Sequence, residues 1–74
     1  MEEKKRVKPS ETITERQGQV LQLIADGLDS YEIAKQLGNS KRTIDSIRLD
    51  MLRRFDATNS AHMVAIGIRK GWIK

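Results

Sequence analysis

Basic side chains are concentrated in residues 40–54, where five lysines and arginines accompany two acidic residues. The preceding segment, residues 13–39, has the opposite balance, with two basic and four acidic residues. Cations gathered on one side of a small domain attract a polyanion such as a nucleic acid, whose phosphates they can contact. A formal net charge of +4 is common among small proteins, so the prediction rests on the position of these cations.

Residues 29–55 contain two helix patterns that are joined by the four-residue break Leu-Gly-Asn-Ser. The first pattern opens at Asp29, whose carboxylate can accept a hydrogen bond from the amide of Glu32, and it stops at Gly38, which favours a left-handed conformation. The second pattern begins after Ser40, a residue type that caps helices. Its apolar residues follow at spacings of 3, 4 and 4: Ile44, Ile47, Met51 and Phe55. The sequence therefore predicts a helix-turn-helix.

The opposite face of the second helix is mostly polar and charged. It carries Lys41, Arg42, Asp45, Ser46, Leu49 and Arg53, with Arg48 and Arg54 at its flanks. A helix-turn-helix whose second helix bears outward cations is the unit that places a recognition helix in the DNA major groove. A plain helical hairpin with a solvated charged face has the same pattern, and the residues of this segment alone leave that alternative open.

Two more helices are predicted on either side of this pair. Thr14, with Gln17 three residues later, is a capping pattern for a helix that continues to Gly27. The turn-like segment 56–60 is followed by an apolar stretch that ends at Gly71. The predicted fold class is all-α, a four-helix helix-turn-helix domain with helices at about 14–26, 30–37, 41–55 and 60–70.

The fourth helix is apolar on more than one side. A second apolar stripe lies outside the face that the core needs, and it consists of Ala61, Ala65, Ile68 and Trp72. An exposed stripe of this kind usually marks an interface between proteins. In so small a domain the stripe can instead be buried under the first helix or the chain end, and the sequence leaves this interpretation open.

The composition argues against an enzyme, a metal site and a membrane protein. The chain has no cysteine and a single histidine, His62, with no carboxylate three or four positions away. Catalysis needs a nucleophile or an acid–base pair, and a zinc site needs several such ligands. No enzymatic activity, metal, cofactor or small-molecule ligand is therefore expected. Charges interrupt every apolar run, so we predict no membrane segment and expect a cytoplasmic, nucleoid-associated protein.

The chain is predicted to have two parts. Residues 1–12 are almost all charged or polar and include the only proline. Such a segment cannot offset the entropy of ordering itself, so it is predicted to be a flexible charged arm. Residues 13–74 are predicted to form the helix-turn-helix DNA-binding domain.

Four sequence blocks within residues 13–73 resemble the LuxR/GerE-type helix-turn-helix family without insertion or deletion between them. These blocks are I-T-E-R-x-x-Q-V-L-x-L-I-A-x-G-L at 13–28, Y-E-I-A-x-x-L at 31–37, S-x-x-T-I at 40–44 and R-K-G-W-I at 69–73. The length resembles the stand-alone, GerE-like members of the family. The resemblance implies a bacterial or phage transcriptional regulator that binds promoter DNA as a homodimer through its fourth helix. A contact with RNA polymerase is left open.

Family positions transferred to this sequence imply roles for individual residues. The base-reading positions are Asp45, Ser46 and Leu49. The phosphate-binding positions are Ser30, Tyr31, Ser40, Lys41, Arg42, Arg48 and Arg53. The family's dimer contact is formed by the fourth helix, which here carries the apolar stripe of Ala61, Ala65, Ile68 and Trp72.

Two departures from the family pattern lie on the recognition helix. Asp45 stands where the family typically has Lys or Arg, and Ile47 stands where it typically has His. An aspartate in the groove is repelled by phosphates but can accept a hydrogen bond from N4 of cytosine. Either the target sequence differs from the family's usual one, or DNA binding is weaker.

Two functions are therefore predicted from different classes. The first is a sequence-specific DNA-binding transcriptional regulator that binds double-stranded DNA as a homodimer, with helix 41–55 in the major groove. The alternative is a protein-interaction module that heterodimerises through helix 60–70 with a related regulator and inhibits it. Asp45 and the apolar fourth helix favour the alternative, whereas the remaining cations of helix 41–55 favour the first.

Overall fold

The structure is a computed structural model that describes residues 12–74. Its four α-helices are α1 (Glu15–Ala25), α2 (Ser30–Leu37), α3 (Lys41–Arg54) and α4 (Ser60–Arg69), and residues 12–74 contain no β-strand. The predicted all-α fold is confirmed. Predicted and observed ends differ by one residue where a cap was counted as helix, as at Thr14 and Asp26. The predicted arm lies outside the described residues except for Thr12.

Each helix begins beside a residue whose side chain accepts a hydrogen bond from the first turn. Thr14 and Gln17 form a capping box in which each side chain accepts from the other's backbone amide at 3.0 Å. Asp29 and Glu32 form a second capping box, with distances of 2.9 and 2.8 Å. The other two N-caps are Ser40 and Asn59. Because these bonds are local, the sequence pattern was sufficient to predict where the helices begin.

The turn between α2 and α3 is fixed by its own hydrogen bonds. Gly38 has φ +71°, a left-handed conformation that side chains rarely adopt. The next amide, of Asn39, donates to the carbonyl of Ala34 at 2.8 Å, and its side-chain amide donates to the carbonyl of Leu37 at 3.2 Å. These hydrogen bonds fix the path of the chain between the two helices, and α3 begins after a turn of only three residues.

The core lies where α1 packs against the other three helices. Its buried side chains are Val20 and Leu21 from α1, Ile33 and Ala34 from α2, Ile44 and Met51 from α3, Met63 from α4, and Ile73. Ile44 and Met51 belong to the predicted apolar face of α3, and the other two members of that face, Ile47 and Phe55, are half-buried against this core. With one side of α3 held in the core, its opposite side faces outwards. None of the helices in residues 12–74 has both the length and the apolar character that crossing a membrane requires.

Candidate nucleic-acid interface

The outer face of α3 is exposed along most of its length. Lys41, Arg42, Ser46 and Leu49 all lie on the surface, and half of the Leu49 side chain is accessible (50%). A large apolar side chain that points away from the core is available to contact another molecule. The side chains of Ser46 and Leu49, which were predicted to read bases, are therefore both accessible.

Asp45, the third predicted base-reading residue, is held by three donors from the same chain. Its Oδ1 accepts hydrogen bonds from the hydroxyl of Ser30 at 2.6 Å and from Nη2 of Arg48 at 3.1 Å. Its Oδ2 accepts from Nζ of Lys41 at 2.7 Å. The carboxylate is 27% exposed. Its predicted base contact stays a prediction, and making that contact would compete with these three interactions.

The hydrogen bonds around Asp45 shift its pKa and that of Lys41 in opposite directions. The hydrogen bond from Lys41, followed by those from Ser30 and Arg48, lowers the pKa of the Asp45 carboxyl well below its usual value. The same hydrogen bond with Asp45 raises the pKa of the Lys41 amine. Both shifts favour the charged forms of the pair, which is the direction expected for an ion pair. Lys41 and Asp45 are thus ionised together at neutral pH.

Arg48 connects α3 to the beginning of α4. Its Nη1 donates to the hydroxyl of Ser60 at 3.2 Å while its Nη2 donates to Asp45. Its Nε is buried and has no hydrogen-bond partner within residues 12–74. The Arg48 guanidinium is therefore oriented from two sides, and its side chain is only 34% exposed.

Of the residues predicted to bind phosphate, those at the amino ends of α2 and α3 lie together. Lys41 Nζ is 5.4 Å from the ring centroid of Tyr31, which is 70% exposed. The Ser40 hydroxyl caps α3 by accepting from the amide of Thr43 at 3.1 Å. The Arg42 side chain is exposed and has no hydrogen-bond or ion-pair partner within the described part of the chain.

Arg53 lies apart from this group. It is twelve positions beyond Lys41 on α3, which corresponds to about 18 Å along a helix axis. Its Nη1 is 3.7 Å from Oδ1 of Asp50, and the two side chains are 78% and 70% exposed. An ion pair as exposed as this one is weak, so the Arg53 side chain can exchange Asp50 for another anion.

The apolar stripe predicted on the fourth helix is only partly continuous. Ala61 is exposed and Ala65 is half-buried, while Ile68 is 52% exposed. Trp72 lies beyond the end of α4 at Arg69, because Gly71 has φ +76° and turns the chain back. The extrapolated helical spacing therefore does not apply to Trp72, whose ring packs on Phe55 with 5.1 Å between centroids.

Two arginines of α3, Arg48 and Arg54, donate hydrogen bonds to other helices. Besides the Arg48–Ser60 bond, Arg54 Nη1 donates to Oε1 of Gln17 at 2.9 Å, which joins the end of α3 to the start of α1. Arg54 also donates to the carbonyl oxygen of Thr12. No local spacing signals contacts between residues so far apart in the chain.

A comparison with known protein families identifies this arrangement. Residues 11–66 match the family described as "Bacterial regulatory proteins, luxR family", and this range covers more than half of the chain. The chain belongs to the LuxR family. The predicted resemblance is thus confirmed, and the four helices are those of a LuxR-type helix-turn-helix, a DNA-binding unit of bacterial regulators and not a class of enzyme.

Relatives of this LuxR-family chain include regulators from three bacteria. It is 34% identical over 59 residues to the uncharacterized response regulatory protein YgeK of Escherichia coli (strain K12), covering 80% of this chain and 40% of that protein. It is 30% identical over 67 residues to the transcriptional regulatory protein DegU of Brevibacillus brevis, covering 90% and 28%. It is 31% identical over 62 residues to the transcriptional regulatory protein DesR of Bacillus subtilis (strain 168), covering 84% and 31%. The chain thus spans less than half the length of each of these relatives.

Two surface grooves of the LuxR-type domain are lined partly by α1. A groove of 390 Å³ between α1 and α2 is lined by Gly18, Gln19, Gln22, Leu23, Gln36 and Leu37. Gly18 has no side chain, and the other five side chains offer only amide or apolar groups. A second groove, of 490 Å³, is lined by Thr14, Glu15, Arg16 and Gln19, all of which lie on the surface. Within residues 12–74, no group of three or more acidic or histidine side chains is arranged to hold a metal ion. The exposed face of α3 in a LuxR-family domain is the strongest candidate for a functional site.

Proposed function

We propose that this protein is a sequence-specific transcriptional regulator that inserts α3 into the major groove of double-stranded DNA. The observation that carries this proposal is the exposure of Arg42, Ser46 and Leu49 on α3, opposite the buried Ile44 and Met51. A helix fits the major groove only if its outer face is free of its own domain. Membership of the LuxR family supports the same assignment.

The exposed side chains differ in whether they can contact the bases or the phosphates of DNA. Ser46 can donate to or accept from a base edge, and Leu49 can contact the methyl group of thymine. Arg42, the hydroxyl of Tyr31 and, farther along the helix, Arg53 contact phosphates, which orient the helix without reading sequence. Phosphate contacts supply much of the affinity and make it depend steeply on salt.

We further propose that the protein binds as a homodimer through α4. Ile68, at 52% exposure, is the large apolar side chain that α4 leaves accessible, and it lies beside the exposed Arg69 and Lys70. Two copies related by a twofold axis would place their recognition helices in successive major grooves about 34 Å apart. The target would then be an inverted repeat.

A second candidate function is supported by the contacts of Asp45. Because Asp45 pairs with Lys41 and Arg48, α3 offers less free positive charge than its basic residues suggest. The alternative is a module that pairs through α4 with a related regulator and inhibits its DNA binding. Mixing the protein with the DNA-binding domain of a relative such as DegU separates the two functions. Loss of the relative's DNA complex favours the module, and a larger complex favours the regulator.

The first test is selection of binding sites from random duplexes, followed by affinity measurements at about 50 and 200 mM salt. We expect Ser46→Ala and Leu49→Ala each to relax the preference at one base pair by about 1 kcal/mol. Arg42→Ala should weaken binding to all duplexes and reduce the salt slope by about 1. Lys35→Ala, in the last turn of α2, is the control and should change neither quantity. Absence of binding to any duplex at low salt would reject the proposed regulator.

A further inference from the structure

Asp45 is the acidic residue at the centre of the proposed DNA-binding surface. Its two carboxylate oxygens accept hydrogen bonds from Ser30 of α2 at 2.6 Å, from Lys41 of α3 at 2.7 Å and from Arg48 of α3 at 3.1 Å. Lys41 lies four positions before Asp45 in α3, and Arg48 lies three positions after it. These are the helical spacings at which opposite charges pair directly.

This pairing changes which cations are available to DNA. The Lys41 ammonium lies against Oδ2 of Asp45, and the Arg48 guanidinium is divided between Asp45 and Ser60. To bind a phosphate, each cation must leave or share the carboxylate. Arg42 has no such partner within residues 12–74, although it adjoins Lys41 in the sequence. Before DNA binds, the Lys41 side chain is therefore paired with Asp45, whereas the Arg42 side chain has no partner within residues 12–74.

The same contacts leave Asp45 poorly suited to reading a base. A carboxylate has about four acceptor positions, and three donors already use this one. Approach to cytosine N4 would also bring the negative charge towards the phosphates on either side of the groove. Both ion pairs are only partly buried, with 44% of the Lys41 side chain and 34% of the Arg48 side chain exposed. Water reaches both cations, so they can be released, and Asp45 reduces the phosphate contacts without abolishing them.

We propose that Asp45 is a positioning residue that holds Lys41 and Arg48 against the domain, lowers the affinity for the DNA backbone and does not read a base. The inference rests on the proposed DNA-binding function. It predicts that the negative charge at position 45 affects all duplexes equally. A base-reading aspartate would instead affect one base pair of the target.

The test compares wild type with Asp45→Asn, which removes the charge and keeps the shape. Binding to a random-sequence duplex is measured by fluorescence anisotropy across a range of salt concentrations. We expect the variant to bind on the order of tenfold more tightly at about 0.1 M salt, with a salt slope steeper by about 0.9, as for one additional phosphate contact. The base preferences found by selection should be the same for both proteins.

Asp26→Asn is the matched control for the loss of one negative charge. Asp26 lies at the end of α1, where its carboxylate accepts a hydrogen bond from Gln22 and not from Lys41 or Arg48. We expect its salt slope to equal that of wild type. A slope as steep as that of Asp45→Asn would mean that net charge, and not the pairing of Lys41 and Arg48, limits DNA binding, and would overturn the proposal.

A second comparison begins with Asp45 intact, and this first part does not depend on the folding of Asp45→Asn. Lys41→Gln should change the wild-type salt slope by much less than the approximately 0.9 expected for one lost phosphate contact, whereas Arg42→Gln should remove about 0.9. In the Asp45→Asn background, Lys41→Gln should then cost about as much as Arg42→Gln. Equal effects of the two substitutions in wild type would overturn the proposal.

The outcomes also separate this inference from the proposed function. Binding by Asp45→Asn but not by wild type supports the inference directly. Binding by both proteins with equal affinity and slope, or a changed base preference in the variant, overturns the inference and leaves the regulator standing. Absence of binding by both proteins at low salt rejects the DNA-binding function and this inference with it.

Discussion

Gly67 of α4 lies so close to Leu21 of α1 that a Cβ atom built on the glycine would be 2.8 Å from Cδ2 of Leu21. The same Cβ would be 3.1 Å from Cγ1 of Ile73. Leu21 is completely buried and Ile73 nearly so. The two helices therefore meet at a point where an added methyl group would force the buried Leu21 side chain to shift.

We predict that Gly67→Ala destabilises the protein although alanine favours helices. Overpacking a filled core costs about 1–3 kcal/mol, and the gain in helix propensity offsets about 1 kcal/mol of that. Urea unfolding monitored by circular dichroism should therefore show a net loss of about 1 kcal/mol. The control is Gly18→Ala in α1, where the added Cβ would lie at an ordinary 3.4 Å from Ile13 Cδ1. This substitution should stabilise the protein by up to about 1 kcal/mol, and the same sign for both variants would contradict the prediction.

Phe55 and Trp72 provide a second measurable contact, between the end of α3 and the chain that follows α4. Their ring planes meet at 54° with 5.1 Å between centroids, and tilted aromatic pairs contribute about 0.5–1.5 kcal/mol beyond the area they bury. We predict a coupling energy of this size in a double-mutant cycle with Phe55→Leu and Trp72→Leu, measured by far-UV circular dichroism during urea unfolding. Strictly additive effects of the two substitutions would mean that the rings do not interact in solution.

The helices could be predicted because the contacts that start and stop them are local. Thr14, Asp29 and Gly38 act on backbone groups within four residues of themselves, and a sequence displays such spacings directly. The partner of Trp72 could not be predicted, because the helical period was continued past Arg69 where the chain has already turned. Helical spacing predicts which residues share a face only within the helix itself.

The candidate DNA-binding face of α3, like the fold, could be predicted from the sequence only in part. The outward face of α3 follows from the spacing of its buried residues, and the exposure of Ser46 and Leu49 agrees with it. The ion pairs of Asp45 with Lys41 and Arg48 were available from their helical spacing. The position of Asp45 in the family points instead to a base contact. The bond from Arg48 to Ser60 crosses between helices, and nothing in the local sequence indicates it.

The pKa of Asp45 predicts how stability depends on acid. Its folded-state pKa is lowered, mainly by the hydrogen bond from Lys41, whereas an unfolded chain should have a value of about 3.9. The charged carboxylate therefore contributes stability at pH values above about 4, and this contribution is lost as the pH falls further. Asp45→Asn removes the contribution. The difference in unfolding free energy between wild type and Asp45→Asn should be constant from pH 7 to about 5 and shrink below about 4. A difference that grows on acidification would contradict the lowered pKa.

Leu49 and Ile68 allow the DNA surface and the dimer surface to be tested against each other. They are aliphatic residues of nearly equal exposure, 50% on α3 and 52% on α4, so replacing either with glutamate should leave the fold intact. Ile68→Glu places a charge in the proposed dimer contact, where it would be desolvated without a partner. We expect this variant to lose self-association, measured by analytical ultracentrifugation, and to bind an inverted repeat no better than a single half-site.

Leu49→Glu should have the opposite pattern. Its added charge faces the phosphates of the groove, so DNA binding should fall at least tenfold on an inverted repeat and on a half-site alike, because each added like charge acts on the electrostatic attraction that dominates affinity. Self-association should equal that of wild type, since α3 takes no part in the proposed dimer contact. If Leu49→Glu instead prevented self-association and Ile68→Glu did not, the dimer would form through the recognition helix. That helix would then be covered in the dimer, and both the proposed major-groove contact of α3 and the proposed dimer contact of α4 would be wrong.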